Sequence, residues 1–251
     1  MQDKPLLFLV IDINGTVYQE IDCEINYIKE LESCVKYLSN YKDSFDVVCC
    51  NIGDSLPQTT QTILRDCNVK LLNIVLHDKV TRCSWYNIVL VGEMMEHIYQ
   101  DRVLLHIDLD MLMMKNIPND FLDIKPHEVK VARYFNNGRD NNIACTCFIV
   151  SHSSIRFYSY WARYLLENSK EISEDKEFCE FEEKSIDLLI NQQPFSDSEL
   201  NISYINKEFM LGNAYAHEYS DDIIFIHCHE NQNRAKYMEI YLNGTITNTT
   251  N

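Results

Sequence analysis

Four short apolar runs, each followed by a stretch of helical periodicity or by a polar break, constrain this chain more than any other feature. They are "PLLFLVI" (5–11), "FDVVCCN" (45–51), "VKLLNIVL" (69–76) and "RVLLHI" (102–107). Near-continuous apolar runs of this length suit strands buried on both faces, as in a parallel sheet. Between them, "CEINYIKELESCVKYLSNY" (23–41) carries Ile25, Ile28, Leu31, Val35 and Leu38 at helical spacing. A second helix, capped by Asp54 or Ser55 and carrying Pro57 near its start, is expected to run to about Cys67. Residues 84–99 read as a third helix. The β–α–β–α–β order implies parallel strands covered by helices.

The second half reads differently. Strands are expected at 129–134 and 144–150, joined by the polar loop "FNNGRDNN", then an amphipathic helix "SSIRFYSYWARYLLENS". A helix at 182–192 and a late strand at 222–229 follow. The expected class is α/β, with a mixed, mostly parallel central sheet flanked by helices. One domain, 1–251, is expected, with a nucleotide-binding half (1–117), an acceptor-binding half (118–240) and a flexible tail (241–251). In such sheets ligands bind at the C-terminal strand ends.

Composition narrows the function. A net charge of −16 disfavours nucleic-acid binding. No apolar run approaches the ~18 residues of a membrane span, and no signal peptide is evident at the start. The ten cysteines include Cys49-Cys50 and Cys145-x-Cys147 without metal spacing. They read as reduced, buried small hydrophobes, with Cys49 and Cys50 on opposite faces of one strand.

Two aspartate motifs compete for the strand ends. "VIDINGTV" resembles the opening motif D-x-D-G-T of haloacid-dehalogenase-type phosphatases, with Asp12 at the nucleophile position and Gly15-Thr16 matching. The second aspartate is Asn14, and an amide cannot serve as the general acid. "VVCCN" also lacks the expected Ser or Thr. The plain alternative is a strand followed by an Asn-Gly turn.

"HIDLDMLMMKNI" places Asp108 and Asp110 two residues apart at the end of the fourth run. Two ionised carboxylates repel unless a positive partner joins them, and oxygen ligands suit Mg²⁺ or Mn²⁺. The run resembles the D-x-D metal motif of GT-A-fold glycosyltransferases, and later segments match in order. "ACTCFIVSHSSIRFYSYWARYLLEN" is similar to a segment of the galactosyl/xylosyltransferase-like and glycogenin-like families, with Ala144 and Thr146 in place of Asn and Gly. "FEEKSIDLLI" resembles their D-Q-S-A-L helix start, with Glu183 on the acid and Lys184 in place of Gln. "IIFIHCHEN" resembles the late strand bearing their metal-binding histidine. His227 falls on that position, with His229 as backup.

The resemblance implies an enzyme that transfers a sugar from a nucleotide-diphosphate donor, UDP-linked, to a hydroxyl of a glycan or other acceptor, with retention of configuration. It implies Mn²⁺ (or Mg²⁺) held by Asp108, Asp110 and His227. Asp108 would also meet the donor ribose or sugar, and Glu183 would face the anomeric carbon. Asp12 and Asn14 would bond base or ribose and Tyr18 would stack; a plain turn is the competing reading. Arg82 would meet phosphate, against a surface salt bridge. Trp85 and Tyr86 read as packing. A cytoplasmic enzyme of bacterial or viral type, in the host cytoplasm if viral, is expected.

Overall fold

In the computed structural model the described residues are 4–13, 27–76, 84–125, 127–133, 143–167, 185, 189, 201–205, 210–212 and 224–228. Asn14, Tyr18, Arg82, Glu183, His229, the loop 134–142, most of the helix expected at 182–192 and the tail 241–251 lie outside them.

The elements run β1 (Leu6–Ile11), α1 (Tyr27–Leu38), β2 (Asp46–Asn51), α2 (Gln58–Asp66), β3 (Val69–Asn73), α3 (Ser84–Ile98) and β4 (Val103–Ile107), then β5 (Met111–Met113), α4 (Asn119–Leu122), β6 (Glu128–Arg133), β7 (Ile143–His152), α5 (Phe157–Glu167), β8 (Asn201–Ile205), β9 (Met210–Gly212) and β10 (Phe225–His227). A seven-stranded sheet has the order β3-β2-β1-β4-β7-β6-β8, and a three-stranded sheet the order β5-β10-β9. The first four strands are parallel, β7 is antiparallel to β4 and to β6, and β8 is parallel to β6. The mixed, mostly parallel α/β sheet is therefore as expected.

Alternation along these strands builds two cores. Phe8, Val48, Cys50 and Leu104 pack on the α3 and α5 side, with Tyr158 and Trp161. Leu7, Leu9, Cys49, Leu105 and Ile107 pack on the α1 side, with Leu31, Cys34 and Val35. Cys49 and Cys50 thus fill opposite faces, as expected of neighbours in a strand. Burial pushes the Cys50 thiol up to about 12, so it behaves as a small hydrophobe. Each fully buried Leu or Phe contributes about 2 kcal/mol. The doubly covered strands need no alternating pattern, and their sequences show none.

Several expected boundaries move. Neither Asp54 nor Ser55 caps α2; Pro57 is the N-cap residue and no side chain caps the helix. Proline's fixed φ orders the entry without a capping hydroxyl. β3 stops at Asn73 rather than Leu76, and Val75 is 79% exposed. Helix 153–169 splits: Ser153–Ile155 form a 3-10 turn, Arg156 adopts a left-handed φ of 59°, and α5 starts at Phe157. The short strands β5, β8 and β9 were not expected, because three to five residues carry too little periodicity. Asn68 and Asp101 (both φ 60°) take the left-handed turn that ends a helix and redirects the chain into β3 and β4.

α3 and α5 are tied together by a buried carboxylate. Glu96 on α3 accepts from Tyr158 N (2.8 Å), Ser159 N (3.0 Å) and Ser159 Oγ (2.7 Å), satisfying the first turn of α5. Gly92 lets the helices close: a Cβ there would sit 2.3 Å from Tyr158 Cδ1.

Candidate active site

The C-terminal ends of β1, β2, β3 and β4 form one edge. Asp12 follows β1, and its Oδ1 lies where a Cβ on Gly53 would come within 2.8 Å. A side chain at residue 53 would displace the Asp12 carboxyl. Asn51 closes β2 and is fully committed: its Nδ2 donates to the Asp54 carbonyl (2.9 Å) and to Asn73 Oδ1 (3.0 Å), while its Oδ1 accepts from Gly53 N (3.2 Å). Asn51 is a strut of this edge. It occupies the place where a phosphatase would need a free hydroxyl.

Asp108 and Asp110 sit in a tight turn. Met111 N donates to the Asp108 carbonyl at 3.2 Å, closing a four-residue turn between β4 and β5. A strand would keep residues 108 and 110 on one face; the turn re-aims them. Leu109, 7% exposed, anchors the turn in the α1-side core. Asp110 is 1% exposed, whereas the Asp108 side chain is 25% exposed. The pair is thus one buried carboxyl group beside one partly exposed one.

β10 comes to the same place. It pairs antiparallel with β5, setting His227 opposite Met111, and Cys228 N donates to the Asp110 carbonyl at 2.9 Å. The backbone of residue 227 therefore passes beside the acidic turn although 117 residues separate it from Asp110 in sequence. Helix α1 supports the turn from below: Tyr41, just beyond it, donates its hydroxyl to the Met114 carbonyl. The Cys34 thiol of α1 is pushed well above its ordinary range by burial first, then by the charges of Asp110, Cys49, Asp108 and Glu30.

The donor set suits a hard divalent cation: two carboxyl groups on a hydrogen-bonded turn, one buried and one partly open. Among the described residues no group of three or more His, Cys, Asp or Glu side chains assembles a cation site. The expected third ligand, His227, is placed by its backbone alone.

One residue was passed over by sequence reasoning. His106, two positions before Asp108, is 1% exposed; its Nδ1 lies 3.2 Å from the Phe8 carbonyl and its Nε2 3.4 Å from Asp108 Oδ1. The signal was present in "HIDLD", because residues two apart share a strand face. A groove of about 500 Å³ between α3 and α5, lined by Glu93, His97, Arg156 and Arg163, lies where α3 leads toward the start of β4. Its arginines are engaged: Arg156 Nη1 contacts His97 Nδ1 at 2.9 Å, and Arg163 lies over the Tyr160 ring at 5.2 Å. The chemistry of the acidic turn lies elsewhere.

This sheet order, with an acidic turn after β4 and a late strand folded back beside it, is the GT-A glycosyltransferase fold. No family model and no curated protein matches the chain. Solved structures do. The galactosyltransferase LgtC, in complex with donor and acceptor sugar analogs, is 12% identical with a TM-score of 0.56 over 96% of each chain. A glycosyltransferase involved in the glycosylation of the major capsid of PBCV-1 is 13% identical, with a TM-score of 0.53 over 94% of this chain and 99% of that one. The glycosyltransferase GlyE of Streptococcus pneumoniae TIGR4 is 14% identical, with a TM-score of 0.53 over 82% of this chain. The match spans 46% of GlyE, so this chain covers about half its length. At these identities the likeness defines the fold. It does not favour the phosphatase alternative built on Asp12. No described helix is long and apolar enough to cross a membrane.

Proposed function

We propose that the chain is a metal-dependent glycosyltransferase, moving a sugar from a UDP-linked donor to an acceptor hydroxyl with retention of configuration. The observation that carries this reading is the turn Asp108–Met111 at the end of β4, with β10 hydrogen-bonded to Asp110. A donor site at that edge is supported by the fold shared with LgtC, which was solved with donor and acceptor sugar analogs.

Asp110, buried and fixed by the turn, and Asp108, open on one side, would hold Mn²⁺ or Mg²⁺, with His227 as third ligand. When bound, the cation supplies positive charge to a departing nucleoside diphosphate. The protein's own part is to hold two anions at fixed positions before substrate arrives, so that little reorganisation accompanies reaction. Asp12, held over Gly53, faces the same edge and would take a ribose or base hydrogen bond. Asn14 and Tyr18 would complete that contact, Arg82 would meet phosphate, and Glu183 would face the anomeric carbon. The acceptor is a hydroxyl-bearing molecule, and a cytoplasmic setting fits the reading.

A thermal-shift screen of nucleotide sugars, with and without Mn²⁺, tests the proposal, because a ligand that binds only the native state raises its melting temperature. A UDP-sugar should stabilise the chain only with the metal present, and the same donor should be hydrolysed slowly to free sugar and UDP. Equal shifts with and without metal, or no shift with any nucleotide sugar, would overturn it.

A further inference from the structure

We infer that Gly53 is a positioning residue for Asp12, and through it for recognition of the donor's nucleoside. The inference rests on the glycosyltransferase reading above, in which Asp12 meets ribose or base. β1 and β2 pair in parallel with Ile11 opposite Asn51, and Ile52 N donates to the Ile11 carbonyl at 3.0 Å. The residues just beyond the two strands therefore leave the sheet side by side. Gly53 comes so close that a Cβ on it would lie 2.8 Å from Asp12 Oδ1 and 3.0 Å from Ile13 N. The bare Cα of residue 53 is thus the wall against which the Asp12 carboxyl rests.

That wall is braced. Asn51, 1% exposed, donates through Nδ2 to the Asp54 carbonyl (2.9 Å) and to Asn73 Oδ1 (3.0 Å), and its Oδ1 accepts from Gly53 N (3.2 Å). Ile74 N donates to the Asn51 carbonyl at 2.8 Å, so the turn is tied to β1 on one side and to the end of β3 on the other. Asp12 is only partly buried, just past the end of its strand. Its carboxyl can turn between staggered rotamers, whereas moving the turn breaks several hydrogen bonds. A methyl at residue 53 therefore re-aims Asp12 before it shifts the turn. The fold survives, but the acceptor no longer faces the nucleoside before it arrives, and that preorganisation is lost from binding.

A double-mutant cycle tests this. UDP binding in Mn²⁺ is measured by calorimetry for the wild-type chain, Gly53→Ala, Asp12→Ala and the combined variant. Asp12→Ala removes a ligand hydrogen bond and should weaken UDP by about tenfold. Gly53→Ala should lose about as much and no more. The combined variant should bind as Asp12→Ala does, because a residue acting through Asp12 has nothing left to act on. Three results refute the inference and leave the glycosyltransferase reading standing: wild-type affinity in Gly53→Ala or in Asp12→Ala, losses that add, or a Gly53→Ala loss well beyond that of Asp12→Ala. A wild-type chain that binds no UDP in Mn²⁺ removes both. Should Gly53→Ala fail to fold, the wild-type chain decides. Its Gly53 amide ¹⁵N and Asp12 carboxyl ¹³C signals should both shift on adding UDP with Mg²⁺ and stay in place with Mg²⁺ alone. Signals that ignore UDP sink the role.

Discussion

Replacing Glu96 by Gln should change how stability depends on pH, and the structure gives the size of the effect. Glu96 is buried between α3 and α5, where it receives three hydrogen bonds from the first turn of α5. Burial raises its carboxyl from an ordinary 4.5 to about 7, outweighing the Ser159 hydroxyl, the Tyr158 and Ser159 amides and the Arg156 charge that favour the anion. Between those values the folded chain holds a proton that the unfolded chain has released. Stability from this group is therefore complete below pH 4.5 and is lost as pH rises through about 7. Each tenfold step in proton affinity is about 1.4 kcal/mol, so the loss is on the order of 3 kcal/mol. Glutamine stays neutral throughout. Its amide also sets an N–H₂ against a backbone donor, a cost that does not vary with pH. Urea unfolding of both proteins across this window should show the wild-type advantage shrinking by about 3 kcal/mol from the acid end to the neutral end. Curves that stay parallel would refute the argument, because they would mean Glu96 titrates alike folded and unfolded.

Two further substitutions probe the same joint. Gly92→Ala drives a methyl into the Tyr158 ring, where its Cβ would lie 2.3 Å from Cδ1; overpacking of about 1–3 kcal/mol should exceed the ~1 kcal/mol gain in helix propensity, lowering the thermal midpoint. Tyr158→Phe removes a buried hydroxyl that has no hydrogen-bond partner among the described residues. Urea melts should show stability unchanged or raised by about 1 kcal/mol, and a loss above that would mean the hydroxyl has a partner.

The parallel front half was legible because its strands are continuous apolar runs and its helices have regular spacing. Leu6, Phe8, Val48 and Leu104 could be assigned to strands from these patterns alone. The acidic pair was visible in the sequence from its spacing at the end of an apolar run, but its geometry was not. The i, i+2 rule predicts carboxylates on one face, whereas the Met111–Asp108 hydrogen bond makes a turn that the letters "DLDM" do not announce. β5 and β9 are too short for a periodic signal, and they acquire strand geometry only through pairing with β10. The approach of β10 to Asp110 is a long-range pairing, and it entered the sequence argument through a family resemblance and not through local pattern. His106 was missed because a histidine in an apolar run reads as core until the neighbouring strand's register places the Phe8 carbonyl beside it. Asn51 shows the converse. Its polar side chain closes an apolar strand, and its amide is consumed holding Asp54, Asn73 and Gly53 in place.

The central claim is that the acidic turn after β4 binds a nucleoside diphosphate through a divalent cation. Calorimetry of UDP binding, in Mn²⁺ and in chelator, with wild type and Asp110→Ala, addresses it most directly. The account predicts binding by wild type in Mn²⁺, and a loss of tenfold or more, about 1.4 kcal/mol, both in chelator and in the folded variant. UDP binding of equal strength in all of these conditions would contradict it.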